Sequence, residues 1–278
     1  MTVINTNVAA NNTYRMMSIA SEEKASSMEK LSSGLRINRA ADDAAGLSIA
    51  EGLRSQANGL EVAARNIGDA ISLAQTAEGG LSAAHDILQR VRDLAVQAGN
   101  DTLNGAARTA ITTEVTQLTE ELTRMAASIN FNDATLLDGT ASFSFQVGAN
   151  GGTDAATSND TIALTVATNL GELATTIDEL DFLSADGAAA AITALDTAIT
   201  GVSSDRSNIG AVQNRLEHTL KHVNVTAENL TNAESNIRDV DMAKEIVKQS
   251  AANIKEQASQ AMLAQANQAS QNVLQLLR

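Results

Sequence analysis

The chain has 278 residues and a formal net charge of −14, with 44% apolar but only 2% aromatic residues and no Trp, Pro or Cys. So acidic a chain is a poor partner for nucleic acid or an anionic membrane surface, and without cysteine it has no disulfide or thiol chemistry. Small apolar side chains suit thin helix–helix seams, so the composition favours a helical bundle.

The opening segment, residues 1–45, is rich in Ala, Ser and Asn and has only a weak helical stripe of apolar residues, which includes Leu31 and Leu35. Short side chains bury little area each, so we expect marginal helices that order by packing against partners. The first residues lack the basic stretch and apolar core of a cleaved signal peptide, and no apolar run reaches membrane-span length.

A long helix is predicted from about 58 to 98, because its apolar residues recur at alternating spacings of three and four. The turn residues of 99–105 should end this helix. A second helix follows with the same spacing, and we expect the two to pair. Its seam consists of Ile111, Val115, Leu118, Leu122, Met125 and Ile129.

The period changes to two in the segment 140–175, where Phe143, Phe145 and Val147 alternate with polar residues, as do Ile162 and Leu164. This alternation predicts the two strands of a hairpin. The polar, glycine-rich stretch 148–160 between them is predicted to be an exposed tip.

A third helical pattern runs from Ile192 to Ile237, about 45 residues or roughly 65 Å of helix. Its seam is interrupted by polar residues at Arg206, Gln213 and Glu234. We interpret these as register-fixing or partly exposed seam positions rather than as a binding site.

The last segment, residues 240–278, is again rich in Ala, Ser and Gln, and its sparse apolar residues include Ile254, Met262, Leu274 and Leu277. Its composition and its sparse apolar stripe are like those of the opening segment. We therefore expect the two terminal segments to pack against each other or against other copies of the chain.

No group of residues indicates catalysis. His218 and His222 have the four-residue spacing of two metal ligands, but no third ligand accompanies them, and we expect both to be solvent-exposed. The pair Asp42 and Asp43, like Asp239 with Asp241, is interpreted as caps and polar contacts at helix ends and bends rather than as an acid–base pair. We therefore predict neither enzyme activity nor a cofactor.

Five segments resemble bacterial flagellin, in the order in which that family has them. They are Leu31–Gly46, Asn66–Gly79, Ile129–Asn132, Ile237–Asp239 and Met262–Leu277. The resemblance implies a mainly α fold: an elongated antiparallel helical bundle or coiled coil with a small β-hairpin region and paired terminal helices. It implies an inner domain of residues 1–45 and 240–278, with Leu31, Leu35, Ile254, Met262, Leu274 and Leu277 packing in the tube, and an outer bundle of 46–239.

The implied function is a secreted structural subunit that polymerises into the helical flagellar filament for motility. The resemblance further implies export through the flagellum itself, with an export chaperone, the export apparatus, and filament cap and hook-junction proteins as partners. A flagellin-like hook–filament junction protein is the alternative. An enzymatic flagellin would need a metallopeptidase insert, for which the short middle segment leaves no room.

One segment, Leu88–Val96, is similar to the stretch that the Toll-like receptor for flagellin recognises in some members of the family. The similarity implies a receptor contact formed by Gln89, Arg90 and Leu94, with Glu114 beside them on the next helix. We expect Leu94 to lie on the helix surface.

Overall fold

The computed structural model describes residues 6–150 and 159–276, with side chains as far as residue 268 in the last helix. Helices dominate this part of the chain, which confirms the predicted mainly α fold with a small antiparallel β region. The elements in chain order are α1 (Val8–Ser33), α2 (Ala44–Ala98), α3 (Gly105–Ser128), β1 (Asn130–Phe131), β2 (Ala134–Thr135), β3 (Ser142–Gln146), β4 (Thr161–Thr165), α4 (Leu170–Asp178), α5 (Ala185–Arg238) and α6 (Met242–Leu276).

Two long helices begin earlier than the period of their apolar residues predicts. Helix α2 starts at Ala44 instead of near 58, and the Asp43 carboxylate caps it by accepting a backbone N–H three residues on, at 2.9 Å. Helix α5 starts at Ala185, where the Ser184 hydroxyl accepts in the same way at 3.0 Å. Both early turns are rich in Ala and Gly, so they lack the apolar spacing on which the prediction depended.

The turn between α2 and α3 lies where it was predicted. Helix α2 ends at Ala98, and Asn104 caps α3 by accepting the backbone N–H of Ala107 at 2.8 Å. Helix α1 ends at Ser33 and is capped by Gly34, whose φ of 73° is the left-handed conformation that glycine adopts without strain.

The β region contains the predicted hairpin and three short elements that were not predicted, β1, β2 and α4. Strands β3 and β4 pair antiparallel, with Phe143 opposite Leu164. The two-residue strands β1 and β2 form a second hairpin whose turn residues, Asn132 and Asp133, both have positive φ. These two strands are too brief to show a period. Helix α4 was also not predicted, although Leu170, Ala174 and Ile177 keep a helical spacing and are buried. Residues 151–158 of the predicted exposed tip lie outside the described residues.

The chain divides into two compact units. The outer unit consists of residues 56–228, and the terminal unit consists of the residues up to Ser55 together with those from Asn229. The outer unit has an apolar core built from α2, α3, α4, α5 and the β region. The predicted seam of α3 is confirmed there, since Ile111, Val115 and Leu122 are buried.

In the terminal unit, α1 and α6 lie side by side in opposite directions. Where the chain leaves α1, it pairs with the segment that joins α5 to α6. Arg36 N donates to the carbonyl of Arg238 at 2.6 Å, and Val240 N donates to that of Gly34 at 3.0 Å. The Arg238 guanidinium then reaches the Glu51 carboxylate at 2.8 Å.

Candidate interaction surface

Exposed apolar side chains are concentrated in the terminal unit. Eleven of the fifteen large apolar residues that are exposed in the described part of the chain belong to it. They are Val8, Tyr14, Met16, Ile19, Met28, Ile49, Met242, Ile246, Val247, Ile254 and Met262. Single exposed apolar residues need no explanation, but such a concentration on one helical unit indicates an interaction surface.

These side chains are exposed because the seam between α1 and α6 is formed by other residues. The less exposed positions of both helices follow the three-and-four spacing of a coiled coil. In α1 they are Ala10, Thr13, Met17, Ala20, Lys24, Ser27 and Leu31, and in α6 they are Glu245, Gln249, Ala252, Glu256, Ser259, Leu263 and Ala266. Since this seam is mostly small or polar, the large apolar residues remain outside it.

The predicted tube-packing residues have different positions in the terminal unit. Leu31 and Leu35 are half-buried, whereas Ile254 is 68% exposed and Met262 is 58% exposed. The side chain of Leu274 and the whole of Leu277 lie outside the described residues.

A groove follows one side of the α1–α6 pair. One part has a volume of about 520 Å³ and an apolar lining that includes Met16, Ile19, Ala258 and Met262. The adjoining part, of about 560 Å³, has a polar lining that includes Glu22, Ser26 and Lys248. Glu23 and Lys255 line both parts and form a salt bridge of 3.1 Å.

Formal charge is divided unevenly between the two units. Residues 1–55 and 229–278 contain eleven acidic and eleven basic residues, whereas residues 56–228 contain twenty-two acidic and eight basic ones. The whole net charge of −14 is therefore in the outer unit, and the terminal unit is balanced. Two neutral surfaces can approach each other without long-range repulsion.

The four carboxylates predicted to be caps or polar contacts at helix ends and bends all form such bonds. Asp43 and Asp241 accept backbone N–H groups at the starts of α2 and α6, and Asp239 accepts the Ser235 hydroxyl. Asp42 accepts two backbone N–H groups at the bend after α1, and these bonds hold its pKa below the ordinary value. The backbone bond lowers the pKa of Asp241 in the same way.

The histidines show no metal-binding arrangement. His218 and His222 are exposed on α5, as predicted. His85 is half-buried on α2, with its Nε2 at 2.8 Å from the Gln89 amide nitrogen. Within the described residues, no three His, Asp or Glu side chains are grouped so that they could hold a metal ion.

Two of the polar seam residues are bonded to charged partners. Arg206 of α5 forms a salt bridge of 3.2 Å with Glu78 of α2, and both side chains are partly exposed. Glu234 lies 3.7 Å from Arg238, four residues further along the same helix. These contacts agree with the interpretation of Arg206 and Glu234 as partly exposed seam positions.

The residues matched to the receptor motif separate into a surface group and a buried one. Gln89, Arg90 and Glu114 are exposed, and the Arg90 guanidinium contacts the Glu114 carboxylate at 2.6 Å. Leu94 is only 2% exposed and belongs to the core of the outer unit. The expectation that Leu94 lies on the helix surface is wrong, because its position in α2 follows the seam residue Val91 by one three-residue step.

Two buried carboxylates were not predicted. Asp205 on α5 accepts from the backbone N–H and the hydroxyl of Thr168, at 2.7 and 2.6 Å. Glu245 on α6 accepts from the Ser27 hydroxyl at 2.7 Å and pairs with Lys248 at 3.0 Å. The hydrogen bond from Ser27 lowers the Glu245 pKa. Sequence offers no local signal for such partners, since Ser27 and Glu245 are 218 residues apart.

None of the helices in the described part of the chain combines the length and the apolar character that a membrane span requires.

Comparison with known proteins identifies two family regions. Residues 4–142 match the bacterial flagellin N-terminal helical region, and residues 192–277 match the bacterial flagellin C-terminal helical region. The flagellin of Halalkalibacterium halodurans is 49% identical, over 99% of this chain and all of its own. The flagellar filament 33 kDa core protein of Treponema phagedenis is 43% identical, over 99% of this chain and all of its own. The crystal structure of Bacillus cereus flagellin is 35% identical and covers 61% of this chain and 94% of its own, with a TM-score of 0.49.

Proposed function

The chain belongs to the bacterial flagellin family, and we propose that the exposed apolar side chains of α1 and α6 are its contacts in the assembled polymer. As a flagellin it is a structural subunit that assembles into the helical flagellar filament used for motility. The relatives are flagellins and a filament core protein, which favours a filament subunit over the alternative hook–filament junction protein.

The concentration of exposed apolar residues on the terminal unit carries this proposal. Exposed apolar area is unfavourable in a free chain, and burial against another copy removes it from water. The balanced charge of the same unit supports close packing of many copies. In the proposed filament, residues 1–45 and 240–278 form the inner domain and 46–239 the outer one, with Ile254 and Met262 among the inner packing residues.

The assembly surface can be tested by substitution at exposed positions. Ile254→Ser should slow elongation on preformed seeds at least about 10-fold, because a hydroxyl replaces apolar area at a desolvated contact. Val225→Ser is the matched control, because Val225 is exposed to a similar extent but lies in the outer unit. Equal elongation by the two variants would contradict the proposal.

Electron microscopy of the purified chain after salt-induced assembly tests the filament itself. Long filaments support a filament subunit, whereas short caps or discs would favour the junction protein. Tyr14 is the single tyrosine and is exposed on α1, and the chain has no Trp. Its fluorescence can therefore report the burial of α1 during the same assembly.

We further propose, from membership of the family, that the chain leaves the cell through the flagellar export apparatus without a cleaved signal peptide. An export chaperone, the filament cap and the hook-junction proteins are then its partners. In cells that lack the export apparatus, the chain should accumulate inside with its first residue unchanged. Its recovery from the medium of such cells would contradict this route.

A second function, recognition by the Toll-like receptor for flagellin, is favoured by the exposed group of Gln89, Arg90 and Glu114. In this proposal the three polar side chains contact the receptor, while buried Leu94 supports the helix beneath them. Arg90→Ala should reduce receptor signalling and leave assembly unchanged.

Arg124→Ala is the matched control for the receptor test, because Arg124 is also exposed on the outer unit and pairs with a glutamate, Glu121, at 2.6 Å. Equal signalling by the two variants at matched folding would reject receptor recognition without affecting the filament proposal.

A further inference from the structure

The seam between α1 and α6 contains little that would fix the alignment of the two helices by packing. Alanine is the only apolar residue type buried in it, at Ala20 and Ala252. Coiled coils with large, differently shaped apolar residues select one register through the fit of knobs into holes. In this seam the larger apolar residues Met17, Leu31 and Leu263 are only half-buried, so the selection is weak and a slip by one heptad would change the fully buried apolar area little.

The polar contacts across the seam do depend on the alignment. Neighbouring residues of α1, Glu23 and Lys24, carry opposite charges, and neighbouring residues of α6, Lys255 and Glu256, carry the same charges in reverse order. Each forms a salt bridge with its opposite: Glu23 with Lys255 at 3.1 Å, and Lys24 with Glu256 at 3.0 Å. A slip by one heptad, about 10 Å along the helix, in the direction that moves Lys24 away from Glu256 would separate both pairs. A slip in the opposite direction is opposed by the separation of Ser27 from Glu245.

A third contact makes misalignment costly. Glu245 is 5% exposed, and its partner across the seam is the Ser27 hydroxyl. When Ser27 moves away, Glu245 keeps its salt bridge with Lys248 on the same helix but loses the hydroxyl donor, so less of its desolvation penalty is offset. Any register that moves Ser27 away from Glu245 is therefore disfavoured.

We propose that these three contacts form a register key, defined as Glu245 with Ser27, Glu23 with Lys255, and Lys24 with Glu256. The key determines which residues of α1 lie opposite which residues of α6. It thereby sets the arrangement of Met16, Ile19 and Met262 along the groove that the terminal unit offers to other copies. The inference rests on the proposed role of this surface in assembly.

A charge-reversal cycle tests the key. Lys24→Glu and Glu256→Lys each place like charges opposite one another, and each should slow elongation on native seeds at least about 5-fold. The double variant restores opposite charges and should elongate within about 2-fold of the native chain. Single variants that elongate normally, or a double variant as slow as the single ones, would overturn the proposal.

Cross-linking measures the register directly, because the native chain contains no cysteine. Thr13→Cys with Ser259→Cys places thiols at two positions that line the same groove, and Thr13→Cys with Ala252→Cys tests a slip of one heptad in the direction that separates the charge pairs. In the native background the first pair should form the intrachain disulfide preferentially. Lys24→Glu should reduce this preference, and Lys24→Glu with Glu256→Lys should restore it.

A preference that is the same in all three backgrounds would overturn the key even if elongation changes. Thermal unfolding of the outer unit should be equal in every variant, which shows that the chains are otherwise folded. If the native chain shows the expected cross-link but forms no filaments, the proposed function fails while the register key stands.

Discussion

Residues 56–228 bury thirty-five of the thirty-nine apolar residues that are buried in the described part of the chain, whereas the terminal unit buries four. Of those four, only Ile37 is larger than alanine. Apolar burial is the dominant favourable contribution to folding, and a domain is stable by only a small margin. The outer unit therefore has a large apolar core of its own, whereas the terminal unit buries little apolar area apart from the further copies against which it is proposed to pack.

The two units also differ in the balance of their acidic and basic residues. The terminal unit balances its eleven acidic residues with eleven basic ones, and several of these pair across α1 and α6. The outer unit has an excess of fourteen acidic residues. Charge is therefore matched where copies are proposed to pack and left unmatched where the chain is held together by its core.

The largest expected effect comes from shortening the terminal unit. Deletion of residues 255–278 should abolish polymerisation, because it removes Glu256, Met262 and the α6 side of the groove. Unfolding of the outer unit should keep its native midpoint. Sedimentation and circular dichroism measure the two properties. Filaments formed by the shortened chain would refute the division of roles between the units.

The core of the outer unit should respond strongly to truncation of single side chains. Leu122→Ala and Leu94→Ala should each lower the free energy of unfolding by about 2–5 kcal/mol, since both residues are buried. Val96→Ala is the control, because Val96 lies two residues from Leu94 and is 52% exposed. Urea unfolding measures all three. A Leu94 variant as stable as the Val96 variant would contradict the burial of Leu94.

A smaller loss of stability is expected when the buried Asp205 carboxylate, which bonds α5 to Thr168 after β4, is removed. Asp205→Ala should lower the free energy of unfolding by about 1–3 kcal/mol, because both donor groups of Thr168 lose their acceptor. Asp196→Ala on the same helix is the control, since Asp196 pairs with Arg92 at an exposed position. Amide exchange should show the loss in β4 and α4. Equal amide exchange in the two variants would show that Asp205 does not stabilise β4 and α4.

The terminal unit should weaken in acid through Glu245. Its pKa is lowered in the folded state by the Ser27 hydroxyl, so the stabilisation is present above the ordinary value of 4.5 and is lost as the pH falls through the lowered pKa. Amide protection of α6 in filaments should therefore decrease as the pH falls below 4.5. In Glu245→Gln, part of this decrease should be absent. An identical pH profile would exclude Glu245 as a contributor.

The smallest effect concerns the charge of the outer unit. Elongation should accelerate by about a few-fold as salt rises from roughly 0.01 to 0.15 M, because screening shortens the range of repulsion between acidic outer units. Light scattering at fixed protein concentration and pH measures the rate. A rate that falls with added salt would show that complementary charges between copies drive assembly.

The long helices and the apolar seams could be predicted from sequence because they depend on spacing within one element. The α3 seam through Ile111, Val115 and Leu122 is the clearest example. The start of α2 at Ala44 differs from the prediction because its first turns are rich in Ala and Gly, and Leu47, Ile49 and Leu53 do not keep the alternating spacing of three and four. The short strands β1 and β2 were missed because two residues cannot show a period.

By itself, the sequence determined that the chain is mainly helical with apolar seams, that its terminal segments have only weak apolar stripes, and that it belongs with the flagellins. The tertiary structure alone decided the burial of Leu94, the bond between Asp205 and Thr168, and the opposition of Ser27 and Glu245. Spacing along one helix is a local property of the sequence. Which residues from distant segments face each other depends on how the helices pack, and no local pattern contains that information.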